Sequence, residues 1–456
     1  MSPTRIALGG ARLAAARRAP FQRDWLVMVR QVATAAGVGL LLFGLVSTLA
    51  REPTDLLPIL VITPVGVWGI WLLARQVAEP EDRAIVWQFA LAGAVLRLGL
   101  ALAIHANIPE DFFAPDQVTY GDVGWRTLLY HRGTGSLPWQ LENTTEVGHF
   151  YWNAFLFMIF GHATIAPKIV NAFVGAASGI LAYRLGGDLA GRDTARYSLA
   201  LTMFFPSLVL WSALNLRDPI VLLATVGTFL AMAHLRTRPS GRSFFAVLLG
   251  IGAMILFRDY IAVMVVFGIV GSTVITRARG LPANVFVGLL LFGLAVLTYQ
   301  QFGLGSRWVE SASFEQIAIQ RVNLATGGSA FRPEANVSTP LQGLQFLPVG
   351  LAFFLFSPFP WQIGTALSAM TLPEQVIWYA LLPAVLMGGR YLLKHRYEVF
   401  GPTFVFLIIT TGVYALVEGN AGTAYRHRAQ VLVFFLVMAA VGLALRKARR
   451  AEAAPR

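Results

Sequence analysis

Apolar residues in this chain fall into long runs separated by short polar stretches. A helix needs about 20 mostly apolar residues to cross roughly 30 Å of hydrocarbon. Twelve runs read as such helices, at about 25–50, 56–75, 84–105, 165–184, 196–213, 218–235, 243–257, 260–276, 282–299, 374–390, 399–416 and 429–445. Two more, 150–160 and 347–356, are only eleven and ten residues long. Runs of that length suit an interfacial or re-entrant segment better than a span. The pattern therefore predicts an all-α multipass membrane protein with about 12 spanning helices and interfacial helices in its outer loops.

Charge orients the spans, because cytoplasmic loops collect Arg and Lys. Arg5, Arg12, Arg17, Arg18 and Arg23 precede the first run, and Arg236, Arg238 and Arg242 follow the one at 218–235. Arg277 and Arg279, then Arg390, Lys394 and Arg396, and finally Arg446, Lys447, Arg449 and Arg450 mark later ends. All fall on one side only if neither short run crosses. Both termini are then cytoplasmic, in the plasma (inner) membrane. The basic lead and the first run are too long for a cleaved signal peptide, so that run reads as a retained anchor. The organisation expected is a basic N-terminus at 1–24, a transmembrane domain at 25–445 with outer loops at 106–164 and 300–373, and a basic tail at 446–456.

Composition supports the membrane reading. Charged residues make up 13% of the 456, against about 25% for soluble domains, and hydrophobic residues 56%. The net charge of +13 is thus explained by the membrane, with no nucleic-acid partner expected. The 32 Phe and 11 Trp argue against disorder, and the absence of Cys excludes disulfides, thiolate nucleophiles and Cys-based zinc sites. His131, His149 and His162 are spaced too widely for a compact metal motif.

Candidate chemistry gathers on the outer face. Asp116 and Tyr120 are four apart, so a helix starting near Pro115 places them on one face, with Asp122 about half a turn away. Two readings stand for this pair: Asp116 caps the helix while Tyr120 packs at the lipid interface, or both serve a reaction. Asp218 before Pro219 reads as an N-cap followed by Pro at the first helical position, which leaves Arg217 unexplained. Arg258-Asp259 falls between two apolar runs with no loop, and Arg97 lies inside a span and needs a partner there. Thr371-Leu-Pro-Glu374 has the form of a capping box, which gives Glu374 a structural role. Tyr425-Arg426-His427-Arg428 puts positive charge outside, against the general bias. Such a cluster suits a phosphate headgroup or interfacial snorkelling. Asn143-Thr-Thr145 and Asn336-Val-Ser338 are outer glycosylation sequons, relevant only in a secretory pathway.

An acidic outer loop carrying Asp116-x-x-x-Tyr120 resembles the GT-C glycosyltransferases, nearest the bacterial branch related to protein mannosyltransferases and lipid A aminoarabinose transferases. Pro167-Lys-Ile-Val-Asn171, Tyr183-Arg-Leu-Gly186, Phe205-Pro-Ser-Leu-Val-Leu-Trp-Ser212 and the Tyr425–Arg428 cluster are similar too, in the same order. Many members have Asp-Glu where this chain has Asp116-Gln117, so a second acid would come from Asp122, Asp111 or Asp218. The acidic loop here follows the third span rather than the first.

The resemblance implies a GT-C-like bundle that moves a sugar from a polyprenyl-phosphate donor to a hydroxyl of a glycan, lipid or protein acceptor, outside the membrane and with inversion. It implies Asp116 as general base with Tyr120 and Asp122 near it. Arg258, Arg426, Arg428 and Arg217 would meet the donor phosphate, with a divalent ion (Mg or Mn) as a possible cofactor on Asp116, Asp122 and Asp218. A glycan ligase or polymerase fed by a lipid-diphosphate oligosaccharide would also want outer arginines and the loop at 300–373. A lipid or glycan transporter or flippase would instead show inverted repeats and ionisable residues at the midplane.

Overall fold

The computed structural model describes residues 21–276, 313–325, 329–364 and 366–453. Among them the chain is helical throughout, with one isolated antiparallel bridge between Ala330 and Asn420. In order come α1 (Phe21–Arg51), a 3-10 turn (Pro53–Asp55), α2 (Leu56–Arg75), α3 (Pro80–Asn107), α4 (Asp116–His131), α5 (Trp139–Asn143), α6 (Gly148–Phe160), α7 (Ile165–Ala190), α8 (Arg192–Phe204) and α9 (Pro206–Ser212). There follow α10 (Asp218–Thr237), α11 (Gly241–Thr276), α12 (Phe314–Leu324), α13 (Pro340–Phe356), a 3-10 turn (Pro360–Gln362), α14 (Ala366–Met370), α15 (Leu372–His395), α16 (Tyr397–Val417) and α17 (Ala421–Ala453).

Nine helices of the described residues are long and apolar enough to cross a membrane. Eight of the twelve expected runs correspond to them one to one. The runs at 243–257 and 260–276 join in the 36-residue α11, which loses helical geometry at Arg258 (φ −162°, ψ 81°). The run at 282–299 lies outside the described residues. The run at 196–213 is a correction: it breaks into α8 and α9, because Pro206 has no N–H to continue the ladder and holds Phe205 extended (φ −68°, ψ 124°). The short runs form α6, 13 residues or about 20 Å, and α13, 17 residues or about 25 Å, at 1.5 Å per residue.

The described residues form two compact units. The first takes in the chain up to Leu230 with Leu381–Arg396 and the chain from Phe435 onward. Its core joins α2, α3, α7 and α8 around Phe89, Leu102, Ile169 and Met203. α1 lies close against α3, since a Cβ on Gly37 would stand 2.8 Å from the Leu96 backbone. Helices in lipid have little hydrophobic drive to associate, so small residues that admit such contact matter. The break at Pro206 is sealed by Arg97: Nη1 donates to Met203 O (2.8 Å) and Gly93 O (3.1 Å), and Nε donates to Ser212 Oγ (2.8 Å). The partner that Arg97 needs is therefore a set of carbonyls and a hydroxyl at a helix end, where backbone acceptors are left over.

The second unit comprises Ala231–Ala380 and Tyr397–Phe434. In it α13 presses on α16, where a Cβ on Gly350 would meet Ala415 O at 2.0 Å. Side chains take carbonyls at the C-terminal end of α13: Leu355 O accepts from Arg428 Nη1 (2.8 Å) and Trp378 Nε1 (2.9 Å), Phe356 O from Tyr379 OH (2.7 Å), and Ser357 O, just past the helix, from Gln375 Nε2 (2.9 Å). Buried Arg321 donates to the carbonyls of Glu418 and Phe331, with its guanidinium carbon 4.2 Å from the centre of the Phe346 ring. Burial draws this guanidinium down to about 10, against the pull of Glu334 and Glu418.

Candidate active site

Pro115 occupies the N-cap of α4, and its helical backbone (φ −57°, ψ −26°) makes Asp116 the first helical residue. The cap position itself is thus filled by Pro115, while Asp116 opens the first turn, where a carboxylate complements the helix dipole. Tyr120, one turn on, is buried and meets the His149 ring edge-on at 4.6 Å. That inward packing replaces the interfacial role that the structural reading gave it.

Asp116 and Tyr120 line a pocket of about 280 Å³ with Thr119, Trp139, Gln140, Asn143, Thr144, Glu146, Phe150 and Arg217. Glu146 and Arg217 form an ion pair there, and the Arg217 guanidinium carbon is 5.9 Å from the Tyr120 ring centre. Two of the proposed site residues thus share the pocket with Asp116. Asp122 does not line it: its carboxylate pairs with Arg126 on the exposed side of α4, at 2.7 Å. Asp218 opens α10 and is buried, but it does not line the pocket either. Asp116, Asp122 and Asp218 therefore do not assemble one metal site in it. The acids lining the pocket are Asp116 and Glu146, the second already paired with Arg217.

A set of buried amides holds the turn that carries Arg217. Asn171 Nδ2 donates to Leu214 O (2.7 Å) and Leu216 O (2.8 Å). Asn215 Nδ2 donates to Asn153 Oδ1 (2.9 Å), so its Oδ1 is the acceptor for His149 Nε2–H (3.0 Å). Asn215 N–H donates to Gln117 Oε1 (3.0 Å), and Gln117 Nε2 donates to Glu110 O (2.8 Å). Burial, helped by the charge of Arg217, pulls the His149 imidazole down to about 3; the bond to Asn215 and the charge of Asp218 oppose it. His149 is therefore neutral and serves as a donor. His131 lies edge-on to Tyr130 and tilted to Tyr151, and His162 lies tilted to Trp125 and edge-on to Phe157.

A second polar chain meets this network at Glu110. Lys168 Nζ donates to Glu110 Oε1 (2.7 Å) and to His105 Nδ1 (3.1 Å), so His105 Nε2 carries the proton given to Asp55 Oδ2 (2.7 Å). Burial would raise the Glu110 carboxyl, but the adjoining Lys168 ammonium, with Thr164 and His105, holds it below the ordinary range. Glu52, Asp55 and His105 have donor spacing suited to a cation. The His105 nitrogen that would bind it carries the proton shared with Asp55.

Arg258, Arg426 and Arg428 belong to the second unit. Arg258 is buried at the break in α11, 5.7 Å from the Tyr260 ring centre. Tyr260 OH lies 3.0 Å from Tyr414 OH, which donates to Gln430 Oε1 at 2.6 Å. Arg426 is half-buried in the first turns of α17. Arg428 is buried on Leu355 O, Ser357 O (3.2 Å) and Glu374 Oε1 (3.5 Å), and Tyr425 OH donates to Glu374 Oε2 at 2.7 Å. Glu374 thus has a structural role through this pairing. His427 pairs with Glu418, which also accepts from Thr423 Oγ1 at 2.6 Å.

Glu146, Gln117 and the amides around Asn215 escape the sequence reading. For Glu146 the available signal was an acid beside Thr144-Thr145, in the same outer segment as Asp116.

No curated protein matches the chain. Residues 147–299 match a family model described as dolichyl-phosphate-mannose-protein mannosyltransferase. The matched stretch begins one residue after Glu146 and takes in His149, Asn153, Asn171, Arg217 and Arg258. On an all-helical multipass membrane chain, that match supports a membrane glycosyltransferase of the GT-C type.

Proposed function

We propose that this protein transfers a sugar from a polyprenyl-phosphate donor to an acceptor hydroxyl on the extracytoplasmic side, with Asp116 as general base. The observation carrying the proposal is that Asp116 shares its pocket with the Glu146–Arg217 pair. In the transfer, the acceptor O–H gives its proton to Asp116 as its oxygen bonds to the anomeric carbon. The bond from that carbon to the phosphate oxygen breaks, and its electron pair leaves on the phosphate. Attack opposite the departing group inverts the centre. The phosphate is stable as an anion, so it needs compensating positive charge rather than a general acid. Arg217 is the pocket's candidate for that charge, and Arg258 and Arg426 are the second unit's candidates.

The test is turnover by purified protein in lipid nanodiscs, given polyprenyl-phosphate sugars in one arm and a lipid-diphosphate oligosaccharide in the other. Release of free polyprenyl phosphate with transfer to an added acceptor is expected in the first arm. Consumption of the diphosphate donor alone would overturn the proposal in favour of a ligase or polymerase.

A further inference from the structure

Gln117 follows the proposed base, at a position where the resembling family often carries an acid, yet its side chain is buried, only 2% exposed. Both ends of its carboxamide are used. Nε2 donates to the main-chain carbonyl of Glu110 at 2.8 Å, and Oε1 accepts from the N–H of Asn215 at 3.0 Å. Each contact is itself anchored. The Glu110 carboxylate takes hydrogen bonds from Lys168 Nζ (2.7 Å) and Thr164 Oγ1 (3.0 Å). Asn215, two residues before Arg217, is gripped through its side chain by His149 and Asn153. One buried amide thus ties the segment leading into α4, the first turn of α4 with Asp116, and the turn bearing Arg217.

We infer that Gln117 is a positioning residue, which sets the placement of Asp116 relative to the Glu146–Arg217 pair. The inference rests on the proposed role of Asp116. Only a side chain that donates and accepts at once fits both contacts. A carboxylate still accepts from Asn215, but it has no proton for Glu110 O and repels that oxygen. A protonated carboxyl supplies both functions again. Leucine supplies neither and leaves a buried carbonyl and a buried N–H unmatched.

The experiment compares Gln117→Leu, Gln117→Glu and Asp116→Asn with the parent protein, using the polyprenyl-phosphate sugar that the parent consumes. Displacing a reacting group by about 1 Å costs on the order of 100-fold in rate, so Gln117→Leu is expected to lower kcat between about 10- and 100-fold. Its donor KM should rise as well, by less than kcat falls, because the turn that it releases at Asn215 carries Arg217. Gln117→Glu should be impaired at neutral pH, and its activity relative to the parent should recover as pH falls and the introduced carboxyl takes up a proton. With the variant shown by thermal melting to be folded throughout that pH range, the recovery reports positioning and not refolding. Full kcat in Gln117→Leu, or a deficit in Gln117→Glu that does not change with pH, would overturn the inference. If the leucine variant does not fold, the pH readout of the glutamate variant decides alone. Activity in Asp116→Asn would instead remove the proposed base. Loss of activity there, beside a fully active Gln117→Leu, would remove only the positioning role.

Discussion

Glu146 is a pocket acid whose local signal, an acid beside Thr144-Thr145, says nothing of its partner. Its partner Arg217 is 71 positions away along the chain, so their pairing depends on how the segments pack. That Asp116 and Tyr120 share a helix face was legible because four residues make about one helical turn, and Asp122 was legible as pointing elsewhere for the same reason. The placement of Gln117 was not, since burial of a polar residue depends on which backbone groups neighbouring segments offer it. Glu146→Gln and Arg217→Ala are each expected to lower kcat/KM. The double variant should lose less than the sum, with a coupling of about 0.5–3 kcal/mol typical of residues in contact. Strict additivity in that cycle would separate the two roles. His149 carries a pH prediction. Its folded value of about 3 lies below the ordinary 6.5, so between these values the unfolded chain binds a proton that the folded chain does not. The stability contributed by neutral His149 is complete above 6.5 and is lost as pH falls toward 3. The thermal midpoint in detergent should therefore drop on acidification, and His149→Gln, which keeps a donor for Asn215, should flatten that slope. An unchanged slope would contradict the assignment.

At the scale of elements, hydropathy located spans well because lipid demands long apolar runs. It missed the break between α8 and α9 because it counts side chains and ignores hydrogen bonds. Pro206 interrupts the ladder without lowering the hydropathy, and Arg97 repairs the interruption from another helix. The sequence showed that Arg97 needed a partner, but a carbonyl partner has no sequence signature. Arg97→Ala should therefore destabilise the protein by about 1–3 kcal/mol for the acceptor it leaves buried, read as a lower midpoint of denaturant unfolding in mixed micelles. A midpoint equal to that of the parent would mean that the broken helix end is satisfied otherwise. The same limit applies to the end of α13, where carbonyls accept from Arg428, Gln375, Trp378 and Tyr379. Arg428 drew notice in the sequence as one of a cluster of outer charges. Its Nη1 donates to this helix end, and its Nη2 lies 3.5 Å from Glu374.

For the whole molecule, composition and apolar runs already specified an all-helical multipass protein, and the order of weak motifs pointed to a glycosyltransferase. The family match over 147–299 supports that class. Chemistry is what the class leaves to be tested, and the proposal places it on one carboxylate. The most direct measurement is release of polyprenyl phosphate from a polyprenyl-phosphate sugar by the purified parent protein and by Asp116→Asn, with acceptor present and folding of both checked by thermal melting. Release by the parent and none by the folded variant is the predicted result. Equal release by both would contradict Asp116 as the base.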